Sequence, residues 1–234
     1  MKKLFSILAF AACVATPAVA ANSNGYGNTP MTMENIGKSY MGRDIAYVMG
    51  HEGAGWLERP EREREEGTDK LLPLLGLKPT DVVADIGAGT GYFSFRLAKE
   101  VPQGKVYAED IQEAMVDEIK ARIKQRGVKN VEPVLGGVKS VGLPKGKVDL
   151  ILLVDAYHEF SYPREMGLAM AEALKPGGRI ALVEYRGGDE SVPIKDLHKM
   201  TVTQATLEMG AVGLTLVDID NKSLPWQHVM IFQK

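Results

Sequence analysis

From residue 67 onward, short apolar runs alternate with longer stretches whose hydrophobic positions recur at helical spacing. Strand-like runs rich in Val, Ile and Leu lie at 81–86, 105–109, 131–135, 148–154 and 179–185. Helical patterns occupy 67–76, 91–100, 112–126, 164–174 and 194–209. Two further strands, near 213–220 and at 227–233, bring the predicted number to seven. Lys175-Pro176-Gly177-Gly178-Arg179 reads as a helix stop and a turn into a strand, because proline cannot continue a helix and glycine supplies the left-handed cap. This alternation predicts an α/β fold with a mostly parallel sheet, right-handed crossovers and a ligand at the carboxyl ends of the strands. The stretch 148–154 reads as a central strand buried on both faces.

The first 66 residues break this rhythm. Met1-Lys2-Lys3 is a basic start, Leu4 to Ala15 is apolar, and Ala18-Val19-Ala20 offers a small-x-small cleavage site, so residues 1–20 are expected to be a signal peptide cleaved after Ala20. The mature protein is then expected in the periplasm or secreted, without stable membrane insertion. Residues 21–41, polar and Gly/Asn-rich over 22–33, read as a flexible linker, and 42–66 as a helical cap. The mixed charges at Glu61-Arg62-Glu63-Arg64-Glu65-Glu66 suit either a solvated helix face or a lid over a ligand, with Trp56 and Arg59 the residues to watch.

The densest chemical signal is Val82-Val83-Ala84-Asp85-Ile86-Gly87-Ala88-Gly89-Thr90-Gly91, a strand ending in an acid and three glycines spaced two apart. Without Cβ atoms the backbone can approach a ligand, and the N–H groups of the following helix point at it. A dinucleotide turn has the spacing G-x-G-x-x-G, whereas here it is G-x-G-x-G. The next strand ends in Glu109-Asp110, about 20 residues on, where a carboxylate would grip a ribose with two free hydroxyls.

D-x-G-x-G-x-G over Asp85 to Gly91 resembles motif I of the class I methyltransferases that use S-adenosylmethionine (SAM). The pattern over Asp85 to Tyr92, Asp110 to Met115 and Leu174 to Val183 is similar to the ubiquinone/menaquinone C-methyltransferase-like group. The resemblance covers residues 67–234. It implies a Rossmann-like, seven-stranded sheet closed by an antiparallel C-terminal strand, with helices on both faces; the short turn between Asp220 and Trp226 suits the closing hairpin. It also implies that Asp85 helps hold the methionine moiety, that Gly87, Ala88, Gly89 and Gly91 close over it, that Asp110 holds the ribose, and that Ile111 packs on adenine. After the third strand, Leu135-Gly136-Gly137-Val138 departs from the family's usual glycine–aspartate, so the backbone near Gly137 must take over that share of adenine recognition.

The strand 148–154 delivers Asp155-Ala156-Tyr157-His158-Glu159-Phe160 to the expected cofactor site, where the resemblance puts the catalytic loop. Methyl transfer is an in-line displacement whose acceptor needs alignment and, in many cases, a base. Histidine qualifies unperturbed. His158 is therefore the candidate base, with Asp155, Tyr157 or Glu159 orienting it or the acceptor, and Asp155 also facing the cofactor; alternatively Tyr157, His158 and Phe160 wall the adenine. His51, His198, His228 and Glu184 are further residues that could converge there. Imidazole and carboxylate suit zinc or iron, but no histidine pair has the spacing of a helical ligand set, so no metal site is assigned.

Composition trims these options. At 234 residues and 45% hydrophobic content the chain can bury a full core. Its only cysteine, Cys13, falls in the leader, so the mature chain would have no disulfide or thiolate chemistry. Loss of Lys2 and Lys3 with the leader moves the net charge from −2 to −4, which gives no support to a nucleic-acid substrate. The expected function is SAM-dependent methylation of a small molecule. Its rivals are a non-catalytic exported binding protein for a SAM-like nucleoside and a metal-dependent enzyme on the same fold.

Overall fold

The computed structural model describes residues 24–234. The expected leader, with Cys13, and the first positions of the expected linker lie outside the described residues. The strands are β1 (Tyr26–Asn28), β2 (Asn35–Tyr40), β3 (Arg43–Ala46), β4 (Val82–Ile86), β5 (Lys105–Asp110), β6 (Val131–Leu135), β7 (Val148–Val154), β8 (Leu174–Arg186), β9 (Lys199–Met200), β10 (Thr215–Asp220) and β11 (Gln227–Gln233). The helices are α1 (Ala54–Leu57), α2 (Arg62–Glu66), α3 (Thr68–Leu74), α4 (Ser94–Glu100), α5 (Glu113–Arg126), α6 (Pro163–Ala173) and α7 (Val202–Gly210). Single 3-10 turns cover His51–Gly53, Tyr157–Glu159 and Asp196–His198.

The main sheet runs β10-β11-β8-β7-β4-β5-β6, with β9 extending the end of β8. Strands β4 to β8 pair in parallel, and β11 is antiparallel to both β8 and β10, as the resemblance implied. The strand order reverses between β4 and β7, whose carboxyl ends carry the glycine turn and the Asp155–Glu159 segment. That crevice is where an open α/β sheet binds its ligand. Strand β7 is buried on both faces. Leu150 and Leu152 pack with Val83, Val106 and Val183 on one side, and Ile151 and Leu153 with Ile86, Leu182 and Met230 on the other.

Two parts of the chain differ from the sequence reading. Residues from Tyr26 to Tyr40 are not a flexible linker: with β3 they form a three-stranded antiparallel sheet, β1-β2-β3, whose Tyr40, Ile45 and Ala46 are buried. The segment read as a helical cap therefore begins as strand β3 and becomes helical only from His51. The small sheet is fastened to the main domain by Arg43, which donates to both carboxylate oxygens of Glu208 on α7 at 2.7 and 2.9 Å and to the His158 carbonyl at 3.0 Å. Lys38 adds a hydrogen bond to the Ser161 carbonyl at 2.6 Å and lies over the Tyr162 ring. The second difference is the helix expected over 194–209. It starts at Val202, because Thr201 caps it by accepting from the Gln204 N–H, while Lys199 and Met200 pair with Tyr185 and Arg186 of β8.

Candidate functional site

The crevice opens into a cavity of about 500 Å³. The glycine turn forms part of its wall. Gly87, at φ +71°, leaves room for Ala156, and Gly89, at φ +54°, for Leu57 of α1; a Cβ on Gly87 would meet the Ala156 Cβ at 2.7 Å. Both glycines sit in the left-handed region that side chains disfavour, so sterics and backbone conformation demand the same residue. The Gly89 N–H donates to Asp110 Oδ2 at 2.9 Å, and the Gln112 N–H to Oδ1 at 2.9 Å. Burial raises the Asp110 pKa against the pull of those N–H groups. Beside it, Glu109 is pushed up to about 8 by burial and by the Asp110 charge. Ile111 and Val138, both exposed, line the cavity together with Asp110 and Gly137.

On the same cavity wall, the 3-10 turn after β7 presents His158 and Glu159. The buried His158 imidazole places Nδ1 2.6 Å from Oε2 of Glu184 at the end of β8, and the His158 backbone N–H donates to Oε1 at 3.3 Å. Burial opposes protonation of this imidazole, but the Glu184 carboxylate outweighs it and raises the pKa. With Nδ1–H committed to Glu184, Nε2 faces Nδ1 of His198 at 3.0 Å. His198 is held low by burial and by the neighbouring His158. Glu159 accepts from the Met49 N–H at 3.1 Å and is pushed up to about 7 by burial.

Asp155, directly after β7 and also on the cavity wall, is a non-glycine residue at φ +50°. One of its oxygens accepts from Gln227 at 3.0 Å, while the other is buried without a hydrogen-bond partner. Burial and the charges of Glu66 and Glu184 raise its pKa well above the carboxylate range. Asp155 thus combines a strained backbone on the cavity wall with an unpartnered oxygen that is buried behind it.

The N-terminal segment roofs the cavity with Val48, Met49, Trp56 and Leu57. Glu58 anchors it, accepting from Thr90 Oγ1 and from Arg122, both at 2.5 Å. Of the charge run, Arg62 and Glu66 are buried and paired at 2.8 Å rather than solvated, and both reach the cavity. Arg59 stacks on Trp56 and binds Glu66 without lining the space.

Several expected site residues stand elsewhere. Gly87, Gly89, Asp110, Ile111, Asp155, His158 and Glu159 line the cavity; Asp85, Ala88, Gly91 and Tyr157 do not. Asp85 is buried behind the turn and accepts from the Ser94 hydroxyl at 2.5 Å, so it braces the start of α4 rather than facing the ligand. Gly91 makes room for Phe95 and Ile119 in the core. Tyr157 points into the core on the opposite side from His158, close to Glu208 and Arg43. Of the other histidines, His198 joins His158, while His51 and His228 are not on the cavity wall. The sequence reading missed Gln112, Tyr185, Pro193 and Ile194 as wall residues, and nothing in their local pattern distinguishes them.

The glycine cradle and the Asp110 carboxylate fit SAM, whose adenosine needs close backbone approach and an acceptor for its ribose diol. Comparisons with known proteins point the same way. Residues 83–178 match the methyltransferase-domain family. The chain is 28% identical over 116 residues to a ubiquinone/menaquinone biosynthesis C-methyltransferase of Ectopseudomonas mendocina, covering 49% of this chain and 45% of that protein. It is 31% identical over 105 residues to the demethylmenaquinone methyltransferase of Lactococcus lactis, covering 44% and 41%. The chain thus spans a little under half the length of these curated relatives. A SAM-dependent methyltransferase from Aquifex aeolicus superposes with a TM-score of 0.74 at 24% identity, over 80% of this chain and 99% of that one, a likeness of fold. Residues 83–178 thus match a methyltransferase domain, and the fold and the cavity around it agree with that match.

Proposed function

We propose that the protein transfers a methyl group from SAM to a small organic acceptor by in-line displacement, with His158 as the acceptor's base. The observation that most supports this is a single cavity lined by both Gly87, Gly89 and Asp110 and by His158, whose ring is held by Glu184. When bound, SAM supplies an electrophilic methyl group. In this reading Asp110 accepts from the ribose hydroxyls, Ile111 and Val138 flank the adenine, and Asp155 lines the wall near the cofactor. Trp56, Phe160 and Ile194 give the acceptor an apolar seat that excludes water. His158 takes the acceptor's proton at Nε2, and Glu184 holds the ring in the tautomer that leaves Nε2 unprotonated, beside His198. Loss of the usual acid after β6 leaves adenine recognition there to backbone near Gly137.

The test is incubation with methyl-labelled SAM and a panel of phenols, thiols, amines and activated carbon acids. Labelled product and S-adenosylhomocysteine are expected, with turnover about 10²–10⁴ lower in His158→Ala. SAM binding with no transfer to any acceptor would instead favour the rival reading of a non-catalytic binding protein. Export belongs to the same proposal through the leader-like residues 1–20. Cell fractionation that finds only uncleaved chain in the cytoplasm would contradict that part and leave the chemistry standing.

A further inference from the structure

We infer that His158, His198 and Glu159 form a binding site for one divalent transition-metal ion on the cavity wall. The ligand atoms these three residues offer all lie within 4.8 Å of one another. His158 Nε2 and His198 Nδ1 are 3.0 Å apart, and His158 Nε2 is 3.9 Å from Glu159 Oε1. Ligands at metal–nitrogen distances of about 2.0–2.1 Å in a tetrahedron stand roughly 3.3 Å from each other. The two imidazoles already stand within a few tenths of an ångström of that spacing, and Glu159, on the same cavity wall, has to close in on them for the cluster to take a cation.

Three features make this a built site rather than a chance meeting of polar groups. First, Glu184, fully buried, binds the far nitrogen of His158, the carboxylate–histidine arrangement that orients metal-ligating imidazoles and raises their basicity. Second, Glu159 is oriented by the Met49 N–H, and His198 by the 3-10 turn Asp196–His198 that leads into β9, so each ligand comes with its own backbone support. Third, Glu159 and Glu184 both stand within 4 Å of the His158 ring, while the neighbouring cations are held by other carboxylates, Arg43 by Glu208 and Lys195 by Glu34. Two imidazoles and one carboxylate suit iron or zinc and leave coordination positions open. All three ligating residues line the cavity, so an acceptor hydroxyl or thiol can reach such a position.

The inference deepens the methyltransferase reading and rests on it for the acceptor's role, though not for metal binding itself. With the ion bound, His158 serves as a ligand instead of a base. The acceptor oxygen or sulfur bonds to the ion and releases its proton to water, because the ion lowers its pKa. The lone pair so exposed attacks the methyl carbon, and the sulfonium sulfur leaves with the electrons of the broken bond as a neutral thioether.

The experiment titrates the full mature chain, stripped with a chelator, with zinc and with cobalt chloride, followed by calorimetry and by visible absorption of the cobalt form. SAM affinity is measured on the same samples. One ion per chain is expected, with an absorption band in the cobalt form. Affinity should fall at least tenfold in His198→Ala and in the volume-conserving Glu159→Gln, and about 10–100-fold in Glu184→Gln. The dissociation constant for SAM should stay within twofold. No stoichiometric binding, or binding that His198→Ala and Glu159→Gln leave unchanged, overturns the site while retained SAM binding keeps the methyltransferase reading. Metal binding without SAM binding does the reverse.

Discussion

Glu184 and His158 are joined across neighbouring parallel strands: the carboxylate at the end of β8 accepts from both the ring Nδ1 and the backbone N–H of the residue presented beyond β7. Leu153 and Val154 of β7 lie opposite Leu182 and Val183 of β8, which brings the two strand ends side by side. Sheet register thus sets the orientation of the imidazole.

Glu184→Gln keeps the shape of this contact and removes its charge. Turnover should fall at least tenfold with SAM affinity unchanged, as isotope transfer and calorimetry on the same preparation would establish. Glu184→Ala should also destabilise the fold by about 3–5 kcal/mol, since it strands a buried polar ring whose charge was balanced. A variant as active as the parent would remove Glu184 from the account.

The parts of the molecule with regular periodicity were legible in the sequence. The strand at 148–154 and the turn at Gly87 and Gly89 announce themselves because burial on both faces and close backbone approach each restrict the residue types allowed. The strands of the N-terminal sheet were not legible. Asn35-Ile36-Gly37-Lys38-Ser39-Tyr40 has no alternation, and its order comes from distant anchors such as Arg43 on Glu208. The chemical cluster was half legible. His158 could be placed at a strand end, but a 3-10 turn does not reveal from sequence which of Tyr157 and His158 faces the cavity, and His198 arrives from 40 residues away.

Gly89→Ala should lower SAM affinity at least tenfold by calorimetry. The new Cβ would collide with Leu57 and hold a left-handed backbone, the second effect alone costing about 1–2 kcal/mol. Leu57→Ala in that background should relieve the collision and recover only part of the loss. Full recovery would assign the whole defect to the roof of the cavity.

Glu109 makes stability depend on pH. Its folded pKa of about 8 lies above the unfolded value near 4.5, so its protonated form is favoured by folding. The contribution is whole below about pH 4.5 and is lost as pH rises through 8, up to about 4–5 kcal/mol at the limit of the full shift. Denaturant unfolding at pH 5, 7 and 9 should show that decline in the parent and a flatter profile in Glu109→Gln. Parallel profiles would mean that Glu109 is solvated.

Arg43→Ala should cost about 3–5 kcal/mol, because it leaves Glu208 charged, fully buried and unpaired. The companion Arg43→Met, Glu208→Leu should recover most of that stability in the same denaturant titration. Protease cleavage in residues 24–46 should quicken in the single variant and not in the double one. Equal cleavage in both would show that the small sheet is held by its apolar contacts instead.

Methyl transfer by this protein requires SAM to lie against Gly87, Gly89 and Asp110 in the cavity. Calorimetry of the mature chain with SAM, beside Asp110→Ala, tests it directly. Micromolar binding is predicted, weakened tenfold or more in the variant, a loss of about 1.4 kcal/mol or greater for a charge-assisted contact to the ribose. Absence of binding by the parent, or equal binding by the two proteins, would contradict it.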